Sequence, residues 1–235
     1  MIVTLERDGV IDVLEQVNVR VDGPTAAAYE ITMRRGELFA QPSVFVNDRR
    51  FRAGDGKHAG TFRISRGTRG IRYDWPQPAG SGSVRLSYRL ALLGTAYTDV
   101  VDLRVPVWER DWEVPVRELT AALKLPRAAN GRVYAWVEPE SLAATVSKTR
   151  RNVRMRTRDI AARTGVTLHV VFPRNVLSSF DAVKSQAKPG LAAVLAERRG
   201  GNGRAWWPWA VAAAIALAVS AVALRTVRSR RRPPR

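Results

Sequence analysis

A chain of 235 residues with 46% hydrophobic side chains can hold one large or two small folded domains, and it is too apolar to default to disorder. It has no cysteine, which excludes disulfides, thiolate chemistry and zinc–cysteine sites together. The formal net charge is +18, and six arginines without an acid among them fall in the last eleven residues, leaving +12 for the rest. Such an excess points to acidic polymer, anionic lipid or nucleic acid. Thirty-four arginines against five lysines also fit a GC-rich coding bias.

From the first residue the pattern is short runs of period-two alternation. Ile2, Val3 and Leu5, then Asp8-Gly9, then Ile11, Val13, Val17, Val19 and Val21 predict a hairpin, because both turn positions tolerate positive φ. Further strands are expected at 27–33, 43–47, 60–64, 69–75, 83–93, 97–107, 112–124, 132–138, 153–156 and 165–172, separated by turn cues such as AGDGKHAG and QPAGSGS. SLAATV (141–146) and RDIAAR (158–163) read as helical turns. The fold class is therefore all-β, an antiparallel sandwich of one or two lobes. VPVWERDWEVPV suggests a division into lobes at 1–110 and 111–173. Residues 174–204 read as a helical or irregular stalk interrupted by Pro189-Gly190, with RRGGNGR as a flexible joint.

The chemistry-bearing residues are sparse. There are two histidines, His58 in a glycine-rich loop and His169 in a strand, where a lone imidazole is usually structural. Ser147 and Lys148 are adjacent and would point apart. Asp99 and Asp102, three apart in a strand, would face opposite sides of a sheet. DRRFRAGDGK lacks the ligand density of a calcium loop. No zinc-protease, nucleophile-elbow, phosphate-loop or dinucleotide motif is present. Arg63, Arg66, Arg69 and Arg72, with Phe62 and Tyr73 nearby, allow a basic face. These observations predict no enzyme, no cofactor and no metal.

Residues 206–224 contain no charge over nineteen positions. As a helix they would span about 28 Å, close to the hydrocarbon thickness of a bilayer. A transmembrane helix is expected at 205–224, with Trp206, Trp207 and Trp209 at one interface, Leu217 and Leu224 in the apolar run, and Pro208 in the first turn. Arg225, Arg228, Arg230, Arg231 and Arg232 in the 225–235 tail would then meet anionic head groups on the cytoplasmic side. That orientation places the β-domain outside. Residues 1–20 show no signal-peptide pattern and begin as a strand in progress, so a leader is expected upstream of Met1. Read literally instead, the chain would be a tail-anchored protein facing the cytoplasm. Ala210, Ala214 and Ala218 would permit close helix approach.

The order of several short motifs resembles the extracellular β-domain of the YciQ-like predicted bacterial membrane proteins, a family of unknown function. The motifs are Asp8-Gly9, Val13 with Glu15, Tyr29 with Ile31, Ser87-Tyr88 with Leu90, Tyr97 with Asp99, Trp108 with Trp112, and Leu125-Pro126. Here Glu30 stands where the family tends to have arginine, and WERDW lacks the usual glycine. The resemblance implies an extracytoplasmic β-domain but brings no activity, and Tyr88, Tyr97, Trp108 and Trp112 are expected to be packing residues. The expected role is binding or scaffolding at the cell envelope, with the bilayer and an envelope protein or anionic polymer as partners and no nucleic acid. The alternative is an enzyme, or an enzyme accessory, acting on envelope polymers.

Overall fold

The Asp8-Gly9 turn closes the first hairpin. β1 (Ile2–Leu5) and β2 (Ile11–Val21) pair antiparallel, with Leu5 opposite Ile11. Across the loop, Glu6 N–H donates to the Val10 carbonyl at 2.8 Å and Gly9 N–H to the Glu6 carbonyl at 3.2 Å. Of the turn pair only Gly9 takes positive φ, at 93°. Asp8 uses its carboxylate instead, accepting the Val10 N–H at 3.0 Å. A Cβ on Gly9 would lie 2.7 Å from Val183 Cγ1. Gly9→Ala is therefore expected to cost about 1–3 kcal/mol, from left-handed strain and overpacking together, measured as a lower urea midpoint.

A computed structural model describes residues 1–110 and 112–200. The compact body Met1–Gly190 is built from three sheets. The largest has eight strands in the order β14 (Ala144–Lys148), β15 (Asn152–Ile160), β12 (Val116–Lys124), β1, β2, β9 (Gly80–Ala91), β4 (Leu38–Val46) and β5 (Arg49–Arg50). A five-stranded sheet runs β13 (Tyr134–Glu138), β16 (Val166–Pro173), β11 (Val100–Trp108), β10 (Gly94–Ala96), β17 (Lys184–Ser185). A four-stranded sheet runs β3 (Thr25–Thr32), β8 (Gly70–Gln77), β7 (Thr61–Arg66), β6 (Arg52–Ala53). The all-β expectation holds. Three parallel pairings, β1 with β12, β6 with β7 and β10 with β17, depart from the antiparallel expectation.

Alternation decides which face of the large sheet is covered. Val3, Val13, Tyr88, Leu123 and Val153 stand opposite one another across five strands and are all buried. Their neighbours one position along, Thr4, Asp12, Arg89, Lys124 and Asn152, share the other face and keep contact with solvent. Both smaller sheets contribute to the same core cluster, β3 and β8 through Ile31, Tyr73 and Trp75, and β11 and β16 through Leu103, Val105, Leu168 and Val170. One long sheet is thus roofed on a single face by two shorter ones.

The chain does not keep the two halves of the sequence apart. β11, before residue 110, pairs with β16, beyond it, and β1 pairs with β12. Residues 174–190, read from sequence as stalk, form a single 3-10 turn at Arg174–Val176 and then β17, which pairs with β10. The remaining described segment is a helix, α1 (Leu191–Gly200), with Arg198 and Arg199 in its last turn, where they complement the helix dipole. Among the described residues no helix is long and apolar enough to cross a membrane. The expected span at 205–224, with its anchors Trp206, Trp207, Trp209, Leu217 and Leu224, lies outside the described residues. So do the tail residues Arg225, Arg228, Arg230, Arg231 and Arg232.

Candidate functional site

β1 and β12 run side by side in the same direction, so both deliver their carboxyl ends to one edge of the large sheet. An open cavity of about 800 Å³ lies there. Thr4 to Asp8 and Val10 form one wall, Lys124-Leu125-Pro126 another, and Arg89, Arg151 and Asn152 complete it. The loops that carry these residues are tied down through their backbones. Ser178 N–H donates to the Arg7 carbonyl at 2.8 Å, and Leu125 N–H to the Arg151 carbonyl at 2.8 Å. Arg127 reaches back to the carbonyls of Val176 (3.2 Å) and Leu177 (2.8 Å). The groove is therefore framed by segments distant in sequence.

Its charge is mostly positive. Arg89 Nε donates to Asp12 Oδ1 at 2.5 Å, which raises the guanidinium pKa and fixes its direction. Among the described residues, no carboxylate forms an ion pair with the side chains of Arg7, Lys124 or Arg151, all of which are exposed. Glu6 and Asp8 are the acids of the lining. The cationic character continues along the uncovered sheet face: Arg154, Arg156 and Arg158 alternate on β15, and Arg85 stands on β9. Glu118 takes Arg156 at 2.7 Å and Arg158 at 3.4 Å, leaving Arg154 without a carboxylate partner among the described residues.

A second polar cluster lies inside the roofed core. Glu15 on β2 is buried and accepts a hydrogen bond from the Tyr88 hydroxyl on β9. A second comes from Tyr29 on β3, in the facing sheet. Burial pushes the Glu15 carboxyl up to about 7, against the pull of the Tyr88 and Tyr29 hydrogen bonds, with the charge of Glu109 adding to the rise. Glu109, just after β11, is itself buried and raised by desolvation. It receives the Thr32 hydroxyl at 2.8 Å and the Thr32 N–H at 3.2 Å, joining the end of β11 to β3. Trp108 stacks on Trp112 at 4.9 Å between centroids, and Trp112 reaches Tyr29 at 5.6 Å. These groups make a polar and aromatic seam where the two roofing sheets meet.

The residues singled out from sequence divide cleanly between these places. Glu15, Tyr29 and Tyr88 converge on the seam with Trp108 and Trp112, while Asp8 and Leu125-Pro126 line the groove. Tyr97 packs against Gly190, where a Cβ would lie 2.2 Å from the ring. Asp99 and Asp102 serve separate partners, Asp99 accepting the Gly190 N–H at 2.7 Å and Asp102 meeting His169 Nε2 at 2.6 Å. His169 is fully buried, with Glu138 3.4 Å from its other ring nitrogen and Trp136 against the ring. His58 instead pairs with Asp55 on the surface at 2.6 Å. Arg63 and Arg72 both turn onto Asp74, at 3.1 and 2.8 Å, so the basic face read there is partly neutralised. Ser147 and Lys148 lie in β14, opposite Arg154 and Val153. Among the described residues no three His, Asp or Glu side chains gather as metal ligands. Lys124, Arg89, Arg151 and Arg7 were not legible as a group, since their assembly depends on the parallel pairing of β1 with β12.

The fold and its seam define a β-rich domain of several sheets whose short motifs meet in space. Residues 1–172 match the family described as predicted membrane protein (DUF2207) N-terminal domain, and the chain belongs to that family. No curated protein matches it. A crystal structure from Parabacteroides distasonis, described as a "putative protease", aligns at 11% identity with a TM-score of 0.37, covering 72% of this chain and 38% of that one. The chain thus spans well under half of that protein, and so distant a likeness carries no argument about function.

Proposed function

We propose that this protein is a single-pass, envelope-facing binding module, anchored by the 205–224 segment, that engages acidic partners through the uncovered face of its large sheet and the groove at its edge. The observation that carries this reading is the concentration, along that face and groove, of cations with no carboxylate partner among the described residues: Arg7, Lys124 and Arg151 at the groove and Arg154 on the face. Exposed cations attract acidic surfaces over about a Debye length, roughly 8 Å at physiological salt, so binding should weaken steeply as salt rises.

The arginine asymmetry about residues 206–224 supports an outside β-domain and an inside tail. Protease added to intact cells is expected to digest the β-domain while sparing the 225–235 tail; full protection of the domain would reverse the orientation. For the binding role, sedimentation of the full chain with purified envelope polymer is expected to fall at least tenfold between 50 and 500 mM salt. Salt-independent sedimentation would exclude an electrostatic partner.

A further inference from the structure

We propose that the groove at the carboxyl ends of β1 and β12 is a binding site for a phosphodiester-linked polyol chain, with Lys124, Arg151 and Arg7 as its anion contacts. This rests on the binding reading above and adds the site and the ligand class. The cavity volume of about 800 Å³ falls in the range of specific ligand sites, roughly 300–1,000 Å³. Three cations without carboxylate partners among the described residues converge on it from β12 and the loops beside β1 and β15. An ammonium and two guanidinium forks suit phosphate oxygens, which accept several hydrogen bonds at once.

The other lining residues narrow the ligand. Glu6 and Asp8 share the cavity with the cations, and they would repel an uninterrupted polyanion. They suit a ligand whose phosphates are separated by hydroxyl-bearing units, since a carboxylate accepts from hydroxyls. Val10 and Pro126, both partly exposed, supply apolar surface for the carbon frame of such a unit. A polymer is favoured over a single lipid head group because the cations continue beyond the groove. Asn152 at the groove is followed on the same face of β15 by Arg154, which has no carboxylate partner among the described residues, and then by Arg156, which Glu118 holds. Alternate residues on a strand stand about 6.6 Å apart, on the scale of one phosphodiester repeat.

The test uses the full chain in neutral detergent micelles and soluble poly(glycerol phosphate) as probe. The Lys124→Glu/Arg151→Glu double variant is compared with Arg52→Glu/Arg66→Glu, which makes the same charge change at exposed positions of the four-stranded sheet, away from the groove and from the large sheet. Matching circular dichroism and melting temperature would first establish that both variants fold; a groove variant that misfolds is replaced by Lys124→Gln/Arg151→Gln. Groove substitution is expected to lower affinity at least tenfold, and the control less than threefold. Equal losses would overturn the groove site while leaving an electrostatic binding module standing. No binding by wild type, with salt-sensitive binding to other envelope polymers intact, would overturn the ligand class alone. Displacement of the probe by phosphatidylglycerol added as mixed micelles in the same detergent, at equal phosphate, would assign the site to lipid head groups and overturn the polymer reading.

Discussion

Raising the pH from 4.5 to 7 is expected to destabilise the wild-type fold by about 3 kcal/mol, and Glu15→Gln is expected to abolish most of that slope. The carboxyl titrates near 7 in the folded protein against an ordinary 4.5, because burial penalises its charge more than Tyr88 and Tyr29 reward it. Below pH 4.5 the group is protonated whether the chain is folded or not, so its full stability is present. Between 4.5 and 7 the native state holds the proton more tightly than the unfolded chain, and stability falls as pH rises. Above 7 both states are ionised and the loss is constant. A rise of about 2.5 pH units at 1.36 kcal/mol each gives the magnitude. Glu109, raised by its own burial, acts in the same direction. Glu118, lowered chiefly by its hydrogen bond to Arg156, acts oppositely, but it is exposed and its window lies at more acidic pH.

Glutamine keeps an acceptor for the two tyrosine hydroxyls and cannot ionise, so Glu15→Gln should equal wild type near pH 4.5 and exceed it at pH 8. Glu15→Leu should lose stability at both pH values, since two buried O–H groups would lack an acceptor at about 1–3 kcal/mol each. Urea unfolding at pH 4.5, 6 and 8, followed by tryptophan fluorescence, measures all three proteins. Parallel pH profiles for wild type and Glu15→Gln would mean that Glu15 is ionised at no cost in the fold.

The seam shows how far a single sequence can be read. The period-two run through Ile11 and Val13 puts Glu15 on the same face of β2, and that face is the buried one. That a carboxylate would be tolerated there was not legible, because its partners Tyr29 and Tyr88 lie 14 and 73 positions away and meet it only when two sheets face each other. The groove failed to appear for the same reason. Parallel pairing of β1 with β12 has no local signature, whereas the β1–β2 hairpin announces itself through Asp8-Gly9. SLAATV (141–146) suggests a helical turn because it is rich in helix-forming residues, yet its second half enters β14 through pairing with β15. Strands of two or three residues, such as β5 and β17, are shorter than any period that could reveal them.

Truncating Trp112 should show how much the meeting of the two roofing sheets contributes. Its ring lies between Trp108 and Tyr29, the first at the end of β11 and the second on β3, so it joins sheets that share no strand. Large aromatic truncations in packed surroundings cost about 3–5 kcal/mol. Because Trp112 is only partly buried, and its indole N–H has no acceptor among the described residues, the expected loss for Trp112→Ala lies at about 3 kcal/mol. Trp112→Phe keeps a ring against both neighbours and removes the orphaned donor, so its loss should stay below about 1 kcal/mol. The alanine variant should also expose Glu15 to water, because Tyr29 would lose the ring that holds it over the carboxylate. The slope of stability between pH 4.5 and 7 should then shrink in Trp112→Ala and persist in Trp112→Phe. An unchanged slope in the alanine variant would show that β2 and β9 bury Glu15 without help from the tryptophan pair.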